Sequence, residues 1–205
     1  MPSTSRMPRH AVIDGFLDAN LHRALLDYAL DSEDRFAPTE VGNGSVQRHS
    51  PEIRTSWFCR DKLGPHKQAF REAVRSRFDE LREMVGVPAF EPARIEVELA
   101  AHRDACFYRP HIDTQTGAAT EGDGRDRVLT MVYYFHRQPR GFSGGAIALF
   151  PFGPGEPELI DPIDNRLVVF PSIALHEVRA VTCRGDAWQD ARFAINTWFR
   201  RAPSA

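Results

Sequence analysis

A histidine and an aspartate stand two residues apart in the segment FYRPHIDT, as His111 and Asp113. Residues i and i+2 of an extended strand point to one face of a sheet, so both side chains can reach a single ion. A second histidine, His176, follows the apolar segment VVFPSIAL, which indicates a buried strand. Two neutral imidazoles and one carboxylate form the facial triad typical of non-haem Fe(II), which leaves coordination positions open. The sequence therefore predicts an iron site at these three residues, called the triad below, with room for a co-substrate and O2.

A single arginine, Arg192, begins the alternating segment RFAINTWF. Its planar guanidinium suits bidentate capture of a carboxylate. Burying it at an otherwise uncharged strand is costly unless an anion meets it, so we expect Arg192 to hold an anionic ligand. Asn196 shares the strand face of Arg192. Two alternatives stay open: a surface ion pair between Arg192 and Asp190, and Arg184 as the arginine that binds the anion.

The elements that must position these side chains form one domain. A chain of 205 residues that is 42% hydrophobic can bury a sizeable core. Residues 1–10 have basic residues but no apolar segment behind them, so we interpret them as a flexible leader and not as a secretory signal. Residues 11–205 are expected to form the domain, with a helical support region at 11–90 and a β-rich core at 91–202.

Two helices are expected in the support region. Asp18 is a candidate N-cap for a helix over Ala19–Leu30. A longer helix is predicted from Leu63 to Val85, because apolar residues recur at helical spacing and Gly86 follows. Both helices would pack on the outside of the main sheet. The short strands after residue 91, with ligands at two strand ends, predict an α+β, mainly β fold with a double-stranded β-helix (jelly roll) core.

The composition disfavours several other classes of protein. A formal net charge of −2 gives no global field for nucleic acid, and no basic stripe with interleaved aromatic residues is evident. No apolar segment approaches the roughly 20 residues that a membrane span needs. The three cysteines are odd in number and widely spaced, which argues against a disulfide framework and a zinc ribbon. A cytoplasmic location is expected, and the oligomeric state is left open.

The segment from about Leu99 to Arg200 resembles the Fe(II)- and 2-oxoglutarate-dependent dioxygenases, specifically the prolyl hydroxylase branch. The resemblance is carried by H-x-D, GG-x-x-x-LF, an apolar segment ending in His-Glu-Val, and Arg-Phe-x4-Trp-Phe, in this order, and by GDGRDRVLTMVYYF before the glycine pair. It implies that the triad binds Fe(2+), that 2-oxoglutarate and O2 are co-substrates, and that Arg192 holds the distal carboxylate of 2-oxoglutarate. It also implies that Tyr134 is a second donor to that carboxylate.

Several contacts around the co-substrate stay open. His102 stands nine residues before His111, where many prolyl hydroxylases have a tyrosine, and it is either a donor to the iron-binding carboxylate of 2-oxoglutarate or a structural histidine. Tyr108 contacts the co-substrate or packs in the core. Asn196 and Thr130 are lesser candidate contacts.

Further expectations concern the backbone around the site. Tyr133 and Tyr134 point to opposite faces of their strand, so one of them enters the site. Thr114 could hydrogen-bond the carboxylate of Asp113. The pair Gly144-Gly145 allows positive φ and close approach of other groups. The loops at 36–55 and 114–126 are candidate lids over the site.

The expected function is hydroxylation of an unactivated C–H bond, in a prolyl residue of a peptide or protein, with release of succinate and CO2. Ascorbate is a candidate additional requirement. One alternative keeps this chemistry but acts on a small molecule or free amino acid. Another belongs to a different class, a non-catalytic cupin-like metal- or ligand-binding protein, although cupin ligand sets often contain H-x-H and a glutamate.

Overall fold

The computed structural model describes residues 6–39, 50–114 and 126–202, apart from the side chain of Asp126. Three α-helices are observed in this part of the chain: α1 (Ala19–Leu30), α2 (Lys67–Ser76) and α3 (Phe78–Met84). The strands are β1 (Ala11–Asp14), β2 (Phe36–Pro38), β3 (Arg54–Thr55), β4 (Trp57–Cys59), β5 (Arg94–His102), β6 (Phe107–His111), β7 (Asp126–Phe135), β8 (Phe142–Gly144), β9 (Ile147–Leu149), β10 (Glu158–Ile160), β11 (Arg166–Pro171), β12 (His176–Val178), β13 (Val181–Cys183) and β14 (Arg192–Arg201).

Two antiparallel sheets face each other. The larger has the strand order β1-β11-β7-β14-β5-β4-β2, and the smaller has the order β10-β9-β12-β6-β3. Buried side chains of both sheets form one apolar cluster between them, among them Tyr134, Phe170 and Ala194 of the larger sheet and Ile147 and Leu149 of the smaller. The jelly-roll core expected from the sequence is confirmed, and the fold is α+β with mainly β structure.

The second apolar cluster joins the helices to the outer face of the larger sheet. The ring centroid of Phe70 of α2 lies 5.9 Å from that of Tyr133. Phe78 of α3 stacks on Phe199, with ring centroids 4.7 Å apart. Alternation along the strands explains this, because Tyr133 belongs to the outer cluster while its neighbour Tyr134 belongs to the inner one. The helices therefore pack against the outer face of the larger sheet, and the inner face of that sheet is left to the space between the two sheets.

Helix α1 begins where the sequence predicts. The carboxylate of Asp18 accepts hydrogen bonds from the backbone N–H groups of Asn20 at 2.9 Å and Leu21 at 3.1 Å, which satisfies two donors of the first helical turn. The expected N-cap and the helix over Ala19–Leu30 are both confirmed.

The single long helix predicted from Leu63 to Val85 is wrong. A short 3-10 turn at Gly64–His66 precedes α2, and α2 is separated from α3 at Arg77, whose φ of −106° and ψ of 6° leave the helical region. The apolar pattern concealed this break because the buried residues Phe70, Val74, Phe78 and Leu81 keep a spacing of three or four residues across it. Gly86, with φ of +71°, follows the second helix as expected.

Residues of the expected leader contact the domain. The backbone N–H of Phe152 donates to the carbonyl of Arg6 at 2.9 Å, and Met7 packs against the inner apolar cluster. The remainder of the expected leader, residues 1–5, lies outside the described residues. The division of the chain at residue 11 therefore stays a prediction. In the described ranges, no helix is both long and apolar enough to cross a membrane.

Candidate metal centre

The triad converges at the open ends of β6 and β12. His111, the last residue of β6, is the register partner of His176, the first residue of β12. Asp113 lies beyond β6, where its backbone N–H donates to the carbonyl of Ser172 at 2.9 Å. One ligand atom from each of the three residues lies within 4.8 Å of the others. The expectation that His111 and Asp113 share one strand face is therefore corrected: a cross-strand pair and the turn after β6 bring the ligands together.

Backbone carbonyls fix the orientation of both imidazoles. Nδ1 of His111 donates to the carbonyl of Arg109 at 2.8 Å, and Nδ1 of His176 donates to the carbonyl of Ala174 at 2.9 Å. A neutral imidazole that donates through Nδ1 keeps the lone pair of Nε2 for a metal. Burial, followed by the proximity of His176, lowers the pKa of His111 to about 3. Both histidines thus present Nε2 toward Asp113, at 3.8 Å and 3.6 Å from its carboxylate oxygens.

The carboxylate of Asp113 is oriented by the larger sheet. The hydroxyl of Thr130 on β7 donates to its Oδ2 at 2.8 Å, and Thr130 also lies 2.9 Å from the hydroxyl of Ser172. The hydroxyl of Thr114, expected to serve Asp113, donates instead to the carbonyl of Arg127 at 3.4 Å. Burial disfavours ionisation of Asp113, but the facing imidazoles outweigh it and hold the pKa of the carboxyl below its ordinary value.

A buried arginine of the larger sheet lines the same cavity. Arg192 is 1% exposed and stands opposite His102 in the β14–β5 register, with its Nη1 3.0 Å from Nδ1 of that histidine. Burial, followed by the charges of Arg192 and Arg54, holds the pKa of His102 well below its ordinary value. The neutral imidazole accepts from the guanidinium through Nδ1, so its Nε2 carries the proton. The guanidinium of Arg192 lies 4.7 Å from the ring centroid of Tyr134.

Three buried donors at this end have no hydrogen-bond partner within the described ranges: Nε of Arg192, Nε2 of His102 and the hydroxyl of Tyr134. Burying unpaired polar groups is costly, so several of them around one cavity are consistent with a polar ligand there. All three residues line the cavity that also contains the triad. A cationic guanidinium with two neutral donors matches a carboxylate in charge and in hydrogen-bonding capacity.

The glycine pair makes room for the buried arginine. Gly144 and Gly145 have φ of +68° and +71°, as the sequence suggested. A Cβ on Gly145 would lie 2.7 Å from Cδ of Arg192, and one on Gly144 would lie 2.4 Å from the carbonyl oxygen of Ala180. Glycine is required here both by backbone conformation and by the space that the arginine occupies.

The two alternatives to a buried Arg192 do not match the structure. Asp190 forms its ion pair with Arg137, so it is not the partner of Arg192. Arg184 is exposed, outside the residues that line the cavity. Arg192 is the arginine that faces the triad across the cavity.

The wall between the triad and Arg192 contains residues that the sequence suggested and one that it missed. Asn196 and Tyr108 both line the cavity, with the amide of Asn196 donating to Glu98 at 3.3 Å and the ring of Tyr108 stacked on His111. Arg54 also lines it and was not anticipated. Its partner Glu98 is 44 positions away, so no local pattern marked it. Of the candidate lids, residues 40–49 and 115–125 lie outside the described residues. The described ends of the first are not only loop, since they include β2 and β3.

A family model described as the 2OG-Fe(II) oxygenase superfamily matches residues 97–200, about half of the chain. The matched segment includes every residue of the larger sheet that lines the cavity. The chain belongs to this superfamily. Iron, 2-oxoglutarate and O2 are the cofactor and co-substrates that the superfamily implies. In this oxygenase, the triad at one end of the cavity fits iron. The donors of Arg192, His102 and Tyr134 at the other end fit a carboxylate of 2-oxoglutarate.

The oxygenase is 28% identical over 202 residues to an uncharacterized PKHD-type hydroxylase of Synechocystis. The match covers 92% of this chain and 62% of that relative, so the chain spans less than two thirds of the relative's length.

Solved structures of prolyl hydroxylases share the fold of this oxygenase. A prolyl-4-hydroxylase of Pseudomonas putida has a TM-score of 0.69 at 21% identity, covering 98% of this chain and 95% of that one. A Trichoplax adhaerens prolyl hydroxylase, in complex with a hypoxia inducible factor oxygen degradation domain peptide fragment, has a TM-score of 0.68 at 20% identity, covering 94% and 83% of the two chains. At these identities the likeness establishes the fold.

Proposed function

We propose that this oxygenase hydroxylates a prolyl residue in a peptide or protein, using Fe(II), O2 and 2-oxoglutarate and releasing succinate and CO2. One observation carries the chemistry: the three ligand atoms of the triad lie within 4.8 Å of one another in the cavity that also holds the unpartnered donors of Arg192, His102 and Tyr134. A metal-binding end and a carboxylate-binding end in one cavity suit a co-substrate that carries a carboxylate away from the iron.

Each residue has a defined part in this proposal. His111, Asp113 and His176 would hold the iron, since two imidazoles and one carboxylate are the ligand set of such oxygenases. Arg192 would hold the distal carboxylate of 2-oxoglutarate, with the hydroxyl of Tyr134 as a second donor. When bound, iron and 2-oxoglutarate would supply the oxidising chemistry that inserts one oxygen atom of O2 into the substrate and the other into succinate.

The chain's own contribution is orientation and exclusion of water. Carbonyl acceptors hold the Nδ1 protons of both ligand histidines, so their Nε2 atoms stay available for the metal. His102 accepts from the guanidinium of Arg192 and thereby sets the direction of its other N–H groups. The apolar side chains of Val132 and Ile147, both almost fully buried, line the cavity and keep bulk water from its interior.

The prolyl substrate is supported by the relatives. Two of the similar structures are named prolyl hydroxylases, and one of them carries a peptide fragment. In this chain, the side chains of Tyr108 and Trp198 line the cavity beside the triad and give it an aromatic wall, which suits an apolar five-membered ring. The same proposal includes contacts of the substrate or the co-substrate with Tyr108 and Asn196.

The test is succinate formation stimulated by substrate. The purified chain, supplied with Fe(II), 2-oxoglutarate and O2, is incubated with a panel of proline-containing peptides, with free proline and with other free amino acids. We expect succinate and a hydroxylated peptide, and neither from His111→Ala. Stimulation by free amino acids alone would favour a small-molecule hydroxylase, and a folded protein that binds metal without turnover on any compound would favour the cupin-like alternative. The same assay, run with and without ascorbate, measures whether ascorbate is required. A cytoplasmic location stays a prediction.

A further inference from the structure

The ligand His111 is held by a chain of stacked side chains that reaches a residue outside the triad. The ring of Tyr108 is stacked on the imidazole of His111, with centroids 3.5 Å apart and an angle of 19° between the planes. The guanidinium carbon of Arg54 lies 4.9 Å from the centroid of the same tyrosine ring. We propose that Arg54 is a positioning residue, which holds Tyr108 against His111 and so fixes the imidazole for metal binding. The proposal rests on the proposed function, because it requires a metal at the triad.

A β-bulge makes the stack of Tyr108 and His111 geometrically allowed. Residues three apart on a regular strand point to opposite faces. Here His111 pairs with His176 and Tyr108 pairs with Val178, so β6 has one residue more than β12 between the two pairs. Pro110, which has no backbone N–H to donate, lies between the two pairs in this irregular stretch. The bulge brings both rings to the cavity face.

Arg54 is itself fixed on two edges of its guanidinium. Its Nη2 donates to the carboxylate of Glu98 at 2.9 Å, and its Nε donates to the hydroxyl of Ser56 at 2.7 Å. Glu98 belongs to β5 of the larger sheet and Arg54 to β3 of the smaller sheet. The ion pair therefore joins the two sheets, and the flat face of the guanidinium is left to the tyrosine, which is the register partner of Arg54 on β6.

His111 is the triad member that most needs such support. Its side chain is 18% exposed, against 5% for His176 and 8% for Asp113. It ends β6, and the single bond from its Nδ1 to a carbonyl sets the direction of Nε2 but not the tilt of the ring plane about that bond. The aromatic face of Tyr108 restricts this tilt, and cation–π contact from Arg54 holds the tyrosine in place. Loss of residues that orient metal ligands typically weakens metal binding by about 10–100-fold.

The test measures the dissociation constant of Co(II), used as a spectroscopic probe for the iron site, under anaerobic conditions. Arg54→Met is expected to weaken Co(II) binding by about tenfold, and Tyr108→Leu by a similar factor, while Tyr108→Phe keeps the ring and binds as the wild type does. Because Arg54 acts through the ring, Arg54→Met in the Tyr108→Leu background should add no further loss. Additive losses would contradict the proposal.

Arg166→Met is the matched control, since Arg166 also forms an ion pair, with Asp14, and its side chain is 14% exposed against 12% for Arg54. It should leave Co(II) affinity unchanged. If Arg54→Met does not fold, Arg54→Lys keeps a charge for Glu98 without the planar face, and an affinity equal to that of the wild type would overturn the proposal. Wild-type protein that binds no Co(II) would overturn the proposed function as well, whereas wild-type binding with an unaffected Arg54→Met would overturn this inference alone.

Discussion

Hydrogen bonds with groups outside the triad orient its three side chains. Carbonyl groups of Arg109 and Ala174 orient the two imidazoles, and the hydroxyl of Thr130 orients Asp113. The ligand types and their order along the chain could be predicted from sequence, because they are local motifs. The hydroxyl that serves Asp113 could not, because Thr130 is 17 positions away and reaches the carboxylate only through the pairing of distant strands.

Thr130→Val removes this hydroxyl and keeps the shape of the side chain. The carboxylate of Asp113 loses an orienting donor, so affinity for Co(II) should fall by about tenfold, the lower end of the effect of such residues. Isothermal titration calorimetry measures it. Thr114→Val is the control, because Thr114 follows Asp113 in the chain but donates to the carbonyl of Arg127. Equal losses in both variants would refute the role of Thr130.

Arg192→Met tests the carboxylate-binding end of the cavity. Removing one partner of a buried, hydrogen-bonded charge pair costs about 2–5 kcal/mol, so the dissociation constant of 2-oxoglutarate should rise by about 30-fold or more while Co(II) affinity changes little. Equilibrium binding of 2-oxoglutarate to the Co(II)-loaded protein gives the value. Arg184→Met, at an exposed arginine in the segment between β13 and β14, should bind as the wild type does. The same loss in both variants would show that Arg192 does not hold the co-substrate.

At the scale of secondary-structure elements, strand ends and turns decide what enters the cavity. The alternation of β14 could be read from sequence, since Arg192 and Ala194 face the cavity while Phe193 and Ile195 face the helices. The bulge in β6 and the break between α2 and α3 could not. The bulge depends on the register of β6 with β12, which is distant in the chain. The apolar spacing across Arg77 is the same with or without the helix break.

Gly145→Ala tests the turn that accommodates Arg192. The added Cβ would lie 2.7 Å from Cδ of the arginine, at a residue with φ of +71°. We expect a loss of about 1–3 kcal/mol in the free energy of unfolding from the backbone conformation and weaker 2-oxoglutarate binding from the displaced guanidinium. Chemical denaturation and co-substrate binding measure the two effects. Gly185→Ala meets nothing within 4 Å and is the control. A Gly145→Ala protein with unchanged co-substrate affinity would separate the turn from the site.

Considered as a whole molecule, the fold places two neutral histidines in one protected cavity. The mainly β core and helix α1 could be predicted, because they follow from strand alternation, turn residues and the N-cap at Asp18. The contribution of Arg54 to the cavity wall could not, because Arg54 lies on β3 of the smaller sheet and pairs with Glu98 of β5 only after both sheets have formed.

Burial of these imidazoles predicts how stability depends on pH. The pKa of His111 is lowered to about 3, and that of His102 is also lowered, while both titrate near 6.5 when unfolded. Below pH 6.5 the unfolded chain therefore binds more protons than the folded chain, and stability falls as pH falls. For His111 alone the loss is about 2 kcal/mol between pH 6.5 and 5.

Denaturation of the metal-free protein across this pH range measures the slope. His102→Gln keeps an acceptor for Arg192 without a titrating group, so its stability should depend less steeply on pH than that of the wild type. An identical slope would mean that His102 titrates normally in the folded protein.

The most direct measurement of the central claim is the visible absorption spectrum of the protein mixed anaerobically with Fe(II) and 2-oxoglutarate. If the triad binds iron and Arg192 holds the co-substrate beside it, a metal-to-ligand charge-transfer band should appear, saturate with both components and be absent in Asp113→Ala. A folded wild-type protein that gives no such band would contradict the account.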